Sequence, residues 1–301
     1  MNIFVAGASG AIGQPLLTEL LRQGHTVTGM TQSEAGAERL RALGAAPVLA
    51  NALDAAAVEQ ALRSSAAEVV IDELTALPKH PADLHKYAPG DRKLRLEGGG
   101  NLYKAAIAAG VRRYIQQASG FFLKAAPGTL ADESAPLATD ATPGVAASAQ
   151  MYATLESRLF SEPAIEGVAL RYGFFYGPNT WYTPGGGGAE QVSKKEFPIV
   201  GDGEGVWSWI HIEDAALATV AALTAAPGVY NIVDDDPSPV SVWLPAFAKA
   251  IGAPAPAKVP KMVARMVAGD DAVYYSTQLR GASNSKARRM LGFAPRRLEW
   301  L

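Results

Sequence analysis

A glycine-rich segment near the start of the chain restricts the possible folds more than any other feature. Gly7, Gly10 and Gly13 follow an apolar run at residues 3–6, and a segment with helical periodicity follows them. Glycines at such a turn let a ligand phosphate approach main-chain amides at a helix N-terminus. This placement predicts a dinucleotide-binding Rossmann fold. The predicted pyrophosphate contacts are Gly7, Ser9, Gly10, Ala11, Ile12 and Gly13.

Strand-like and helix-like segments alternate along the first half of the chain. The strand-like segments are rich in β-branched residues, and the segments between them have helical spacing of apolar residues. This alternation predicts an α/β fold with a doubly wound parallel sheet. The later predicted strands are residues 25–30, 47–49, 68–71, 113–117 and 167–171, and a helix is predicted over residues 94–109.

The composition changes beyond Gly173, where glycine and proline become frequent. This change predicts a smaller C-terminal substrate-binding region. We assign residues 1–175 to the Rossmann core, completed by about 206–233, and residues 176–205 and 234–301 to the substrate-binding or lid region.

Three further segments receive structural interpretations. The alanine-rich residues 141–149 are predicted to form a loop. The amphipathic residues 262–267 are predicted to form a helix that packs mainly in the core, with lining of the substrate pocket as the alternative. The consecutive acids Asp234, Asp235 and Asp236 are predicted to face water. Because the four histidines also lack ligand spacing, we expect no metal site.

Charge and composition restrict the partners. The formal net charge is -2, without a basic cluster, so nucleic acid and anionic membranes are not expected partners. The chain has no cysteine, which excludes disulfides and thiolate chemistry and is typical of a cytoplasmic enzyme. No apolar stretch is long enough to predict a membrane span.

The end of the second predicted strand bears on the choice of cofactor. Many NAD enzymes place an acid there, which binds the ribose 2′-hydroxyl. This chain has Thr31, Gln32 and Ser33, whose neutral donors suit a 2′-phosphate, so NADP(H) is favoured over NAD. The chain has no arginine here, although arginine is the usual partner of a 2′-phosphate. The alternative is a polar turn that does not contact the 2′ position of the ribose. Leu74 and Thr75, after the fourth strand, are predicted to pass beside the cofactor.

An ordered set of motifs resembles the extended short-chain dehydrogenase/reductases, the NAD-dependent epimerase/dehydratase group. The resemblance implies that residues 209–212 and 230–233 return to the first domain. It also implies cofactor contacts from Asn51, near the adenine, and from Tyr172. The matching segments are residues 7–13, 110–114, 170–178, 211–216, 230–232 and 287–293.

The resemblance also implies a Ser or Thr after the fifth strand and a Tyr-x-x-x-Lys pair on the next helix, and here the chain departs from the family. In one alignment Tyr152 is the catalytic tyrosine and Glu156 replaces the lysine. In the other, favoured by the distance to the following strand, Ser148 takes the tyrosine position and Tyr152 the lysine position. The serine position falls on Ala118 or Ser119. Neither alignment supplies a lysine, and a neighbouring carboxylate would raise the pKa of a tyrosine.

The missing pair predicts that proton transfer comes from elsewhere. A ketone beside a phenol can receive the phenolic proton after hydride addition, and the chain resembles atypical ketoreductases of angucyclinone-like aromatic polyketides. We therefore predict an NADPH-dependent ketoreductase of a polycyclic ketone, acting as a monomer or homodimer. Two alternatives stay open: a non-catalytic NADP-sensing regulatory protein, and a sugar-nucleotide epimerase or dehydratase, whose chemistry depends on a tyrosinate.

Aromatic residues in and near the predicted lid region suit a flat ligand. Phe121, Trp181, Tyr182 and Trp207 are predicted to stack against it, and Arg280 to reach a polar group. Core packing of the aromatic rings and solvation of the arginine are the alternatives.

Overall fold

Strands and helices alternate for most of the chain in this computed structural model, which describes residues Met1–Leu301. The strands are β1 (Asn2–Ala6), β2 (Thr26–Thr31), β3 (Ala46–Leu49), β4 (Val69–Asp72), β5 (Arg113–Ser119), β6 (Glu166–Tyr172), β7 (Phe174–Tyr176), β8 (Ile199–Val200), β9 (Val206–Trp207), β10 (Trp209–His211), β11 (Gly228–Ile232), β12 (Ser238–Pro239) and β13 (Lys258–Val259). The helices are α1 (Gly13–Arg22), α2 (Glu34–Leu43), α3 (Ala55–Ser65), α4 (Leu84–Lys93), α5 (Gly99–Ala108), α6 (Pro143–Leu159), α7 (Gly187–Ser193), α8 (Ile212–Ala221), α9 (Val240–Ala250), α10 (Lys261–Thr277) and α11 (Ser285–Leu291).

Seven of the strands form one sheet in the order β11-β6-β5-β4-β1-β2-β3, and all neighbouring pairs are parallel. Its central strands are buried on both faces, as expected of a parallel sheet covered by helices. Apolar side chains of α1, α2 and α8 cover one face, and those of α3, α5 and α6 cover the other. The predicted α/β fold with a doubly wound parallel sheet is confirmed.

Local sequence explains where several helices begin and end. Asp54 caps α3 by accepting a hydrogen bond from the Ala57 N–H, and Ser33 caps α2 in the same way. Gly24 follows α1 with φ +78°, a conformation that favours glycine.

The C-terminal half adds three small two-stranded sheets to the core, in which β7 pairs with β10, β9 with β12 and β8 with β13. Of residues 209–212, which are expected to return to the first domain, Trp209–His211 pair with Phe174–Tyr176 rather than with a strand of the seven-stranded sheet. The chain still returns to the core immediately afterwards. Helix α8 packs on α1, and β11 joins the edge of the sheet beside β6.

Three other expectations are corrected. Most of the alanine-rich residues 141–149 are helical, because α6 begins at Pro143. Met262 and Met266 are largely exposed rather than in the core, in the part of α10 that precedes a break at Gly269. Of the acids after β11, Asp235 is exposed as predicted, whereas Asp234 is almost fully buried. None of the helices has both the length and the apolar character needed to span a membrane.

Candidate active site

The glycine turn between β1 and α1 is shaped by the close approach of neighbouring backbone. Gly7 has φ +77°, and a Cβ there would lie 2.3 Å from the Glu73 carbonyl oxygen. A Cβ on Gly13 would lie 1.9 Å from the Ala8 carbonyl oxygen. Helix α1 has no side-chain cap, so its N-terminus is open to an anion.

The main-chain amides of this turn are available to a ligand. The N–H groups of Ala11 and Ile12 make no hydrogen bond within the protein. Gly10 and Ala11 line a cavity of about 1380 Å³, whereas the Ile12 side chain is buried in the core. These features fit the diphosphate of a dinucleotide, because anions bind well where unpaired amides meet the positive end of a helix dipole.

The side chains predicted to contact the ribose and adenine lie at the ends of β2 and β3. The Ser9 and Thr31 hydroxyls lie 3.2 Å apart beside the glycine turn. Ser33 Oγ accepts the Gly36 N–H but keeps its own hydroxyl hydrogen, and Gln32 is exposed. Asn51 is exposed after β3, where its Oδ1 accepts the Leu53 N–H.

The other residues predicted to contact the cofactor, Leu74, Thr75 and Tyr172, differ in their access to the cavity. Thr75 and Tyr172 line the cavity, whereas Leu74 is buried and its N–H donates to Asp72 Oδ1 at 3.1 Å. The Tyr172 hydroxyl lies 3.0 Å from Glu73 Oε1, and burial raises the pKa of Glu73 to about 8. Glu73 is therefore mainly protonated near neutral pH, which lowers the cost of burying it beneath the turn.

The three predicted catalytic side chains meet in the cavity wall. Ser119, Ser148 and Tyr152 all line it, as does Ala118. Ser148 Oγ donates to the Gly144 carbonyl at 3.0 Å, and the Tyr152 hydroxyl has no hydrogen-bond partner in the protein. This part of the wall therefore presents hydroxyl groups from β5 and α6.

Glu156 lies one turn beyond Tyr152 on α6 but does not reach the cavity. Its two carboxylate oxygens accept hydrogen bonds from Arg171 Nε and Nη2, both at 2.7 Å. Both side chains are almost fully buried between α6 and β6. The carboxylate thus belongs to a structural ion pair and is not positioned to act on Tyr152.

Tyr152 is held in its neutral form. Burial raises the pKa of Tyr152 above its usual range, and the guanidinium of Arg95 offsets part of that rise. Burial likewise raises the pKa of Tyr182 and of Tyr275, whose rings also line the cavity. These three tyrosines can donate hydrogen bonds at neutral pH but do not supply an ionised base.

Aromatic rings form another part of the cavity wall. Phe121 stacks on Phe174 with ring centroids 4.1 Å apart, and Phe174 stacks on Trp207 at 3.9 Å. Trp181 and Tyr182 line the same cavity, and the Trp181 indole N–H donates to the Pro78 carbonyl at 2.9 Å. The stack presents flat apolar surface to a ligand.

Arg280 is the one predicted substrate contact that lies away from this cavity. It is not among the lining residues, and its Nη1 donates to the carbonyl of Leu279. The structure therefore gathers Phe121, Trp181, Tyr182 and Trp207 at one site and leaves Arg280 outside it.

Comparison with known proteins decides the family. A profile of the NAD dependent epimerase/dehydratase family matches residues 3–233. The chain belongs to this family.

Two relatives of this family member are named as reductases. The chain is 38% identical over its whole length to a 3-diazoavenalumate denitrifying reductase of a Streptomyces species, covering 98% of that protein. It is 25% identical, over 98% of its length and 92% of the other protein, to a Stigmatella aurantiaca ketoreductase of a farnesylated dihydroquinoline oxide. These similarities identify this epimerase/dehydratase family member as an enzyme, an oxidoreductase.

Solved structures of the family share the fold. UDP-glucose 4-epimerase of Thermus thermophilus, in complex with NAD, superposes with a TM-score of 0.74 at 24% identity, covering 98% of this chain and 94% of the other. DesIV of Streptomyces venezuelae, a dTDP-glucose 4,6-dehydratase with NAD bound, gives 0.77 at 18% identity, covering 99% and 93%. Both complexes contain NAD, and the family depends on a nicotinamide cofactor.

The sequence interpretation missed two charged residues and an amide of the cavity wall. Asp91 and Arg95 pair at 2.8 Å, and Arg95 Nη1 donates to Gln117 Oε1 at 3.3 Å. Asp91 lies in α4, before the predicted helix start at residue 94, and Arg95 lies in a π-helical segment, Leu94–Gly98. Their i, i+4 spacing of opposite charges is a signal that could have extended the predicted helix to include them.

Proposed function

We propose that the protein is an NADPH-dependent ketoreductase of a flat, polycyclic aromatic ketone. The observation that carries this proposal is one continuous cavity that joins the glycine turn at Gly10 to the stacked rings of Phe121, Phe174 and Trp207. When bound, the dinucleotide supplies a hydride to the substrate. Because half of the lining residues are hydrophobic, the cavity suits a ring system better than a sugar nucleotide.

The preference for NADPH is supported by the end of β2. Thr31 and Ser33 offer hydroxyl donors there, and neither residue carries the negative charge that would repel a 2′-phosphate. Gln32 is exposed and adds an amide donor. NAD is the less favoured cofactor.

Proton transfer is proposed to be assisted by the substrate. Ser148 and Tyr152 line the cavity while Glu156 is paired with Arg171, which supports the alignment that places Ser148 at the family's tyrosine position. No lysine follows to ionise a tyrosine. In a ketone beside a phenol, the carbonyl electrons move to oxygen as hydride adds to carbon, and that oxygen takes the phenolic proton. The protein then orients the substrate and excludes water, and no side chain has to donate the proton.

A second candidate reaction is the reductive loss of dinitrogen from an aromatic diazo compound, favoured by the full-length similarity to the denitrifying reductase. In an aryl diazonium substrate, hydride bonds to the ring carbon as the carbon–nitrogen bond breaks and its electron pair leaves with N₂. This reaction also needs no proton from Tyr152. A sugar-nucleotide epimerase is the weaker alternative, because its oxidation step requires a tyrosinate.

The test is to follow label from deuterated NADPH into three probes. These are a peri-hydroxytetralone, its methyl ether and a phenol diazonium. Label on the carbinol carbon of the hydroxytetralone, with much slower reduction of the ether, supports ketoreduction. Label on the ring carbon with release of N₂ instead supports denitrification. Tight NADPH binding without transfer to any probe would contradict both and favour a sensing protein.

A further inference from the structure

Arg95 is an almost fully buried cation in the cavity wall, and neither reaction proposed above uses it. Its Nε donates to Asp91 at 2.8 Å and its Nη1 to Gln117 at 3.3 Å. Its remaining nitrogen, Nη2, has no hydrogen-bond partner within the protein. Buried donors are nearly always paired, so a guanidinium that faces a cavity with an open donor is suited to bind a ligand.

Arg171 provides an internal comparison. It is as deeply buried as Arg95, but its Nε and Nη2 bind Glu156 and its Nη1 donates to the Glu133 carbonyl. It does not line the cavity. Replacing a buried ion pair by apolar residues is often neutral for stability. A contribution to stability therefore does not by itself explain why a buried arginine occupies position 95. Arg95 differs from Arg171 in having a donor nitrogen without a partner and in lining the cavity, and both differences indicate that Arg95 binds a ligand.

The surroundings of Arg95 leave its positive charge accessible to an anion. The Tyr152 ring centroid lies 5.5 Å from the guanidinium carbon, and burial keeps that tyrosine neutral. Both carboxylate oxygens of Asp91 already have partners, since one accepts from Arg95 Nε and the other accepts the Ala76 N–H at 2.6 Å. Of the other carboxylates of the wall, Glu196 is solvent-exposed, and the half-buried Glu190 lies 3.7 Å from Lys194 Nζ.

We propose that Arg95 Nη2 binds an acidic oxygen of the ring substrate, either a phenolic or a carboxylate oxygen. This inference rests on the proposed function, since it specifies the substrate of the same cavity. In ketoreduction, the phenolic proton moves to the former carbonyl oxygen and the O–H electron pair stays on the phenolate. Arg95 would then act as a catalytic residue, because its guanidinium stabilises that developing charge.

The experiment measures binding of three probes to the complex of the protein with NADP⁺, in which no ketone can be reduced. The probes are a peri-hydroxyanthraquinone, its methyl ether and an anthraquinone carboxylate. A phenolic contact predicts that the hydroxy compound binds about 10–100-fold more tightly than the ether, with a visible absorption shift toward its phenolate. A carboxylate contact instead predicts the tightest binding for the carboxylate.

Variants of Arg95 decide whether this residue is responsible. Arg95→Gln should abolish the preference and the absorption shift, and Arg95→Lys should restore part of both. Lys93→Gln removes an exposed charge from the same helical region and should keep the native preference. An unchanged preference in Arg95→Gln, or no preference in the native protein, would overturn the proposal.

A double variant controls for folding. Asp91→Asn combined with Arg95→Gln removes both charges, so that no unpaired carboxylate stays buried, and its melting temperature and NADP⁺ affinity should remain near native. If the native protein shows the Arg95-dependent preference but reduces no ketone, the proposed function fails and the binding site stands. If it reduces ketones and Arg95→Gln reduces them equally well, the binding site fails and the function stands.

Discussion

Substitution of Gly10 by valine tests how the dinucleotide is held. Gly10 lines the cavity, and a Cβ there would lie 3.1 Å from the Gly7 carbonyl oxygen, a tight contact that a small shift can relieve. The valine side chain would occupy the space in front of the amides of Ala11 and Ile12. We therefore expect the variant to fold, and we expect the valine side chain to block the contact between the pyrophosphate and these amides.

The size of the effect follows from those two free amides. A hydrogen bond to a charged group contributes about 1.5–3 kcal/mol, so two give about 3–6 kcal/mol. Since about 1.4 kcal/mol corresponds to a factor of ten, we expect NADPH to bind Gly10→Val about 10²–10⁴-fold more weakly.

The assay is calorimetric titration of NADPH into the native and variant proteins, with the melting temperature of each free protein as a check on folding. Gly90→Val is the matched control, because a Cβ at Gly90 meets nothing within 4 Å and Gly90 lies outside the cavity wall. An affinity of Gly10→Val within a factor of about three of native would refute the pyrophosphate assignment, since it corresponds to less than about 1 kcal/mol.

Three further substitutions test other parts of the site and the fold. Thr31→Asp should shift cofactor preference from NADPH toward NADH by repelling the 2′-phosphate, while Thr31→Asn should not; the ratio of the two dissociation constants measures the shift. Glu156→Gln leaves the Arg171 guanidinium buried without a counter-charge, so urea unfolding should show a loss of about 3–5 kcal/mol with little change in cofactor affinity. Burial raises the pKa of Asp234 to about 7, above the unfolded value near ~4, so the free energy of unfolding should fall as pH rises across that interval. Asp234→Asn should flatten that fall in stability, and an unchanged pH profile would contradict the assignment.

The features predicted well from sequence are those that local chemistry determines. The strand, glycine turn and helix around Gly10 depend on residues close together in the chain. The cavity-lining positions of Ser148 and Tyr152 followed from the family pattern combined with helical spacing.

The features missed depend on tertiary context. Helix α4 contains Pro89, which local propensity treats as a helix breaker, so the predicted helix began too late to include Asp91. Met262 and Met266 have the spacing of a core-facing helix, but periodicity alone does not say whether another element covers that face. Nothing in the local sequence indicates that Trp209 lies beside β7, since that pairing joins distant segments.

The central claim, that reduction proceeds without an ionised tyrosine, is tested most directly by the turnover of Tyr152→Phe on a peri-hydroxytetralone, with NADPH affinity measured in parallel. Because the phenol of the substrate provides the proton, we predict a kcat within about tenfold of native, below the roughly 10²–10⁴-fold that general acid–base catalysis contributes. A loss of about a thousandfold with NADPH affinity intact would contradict the claim.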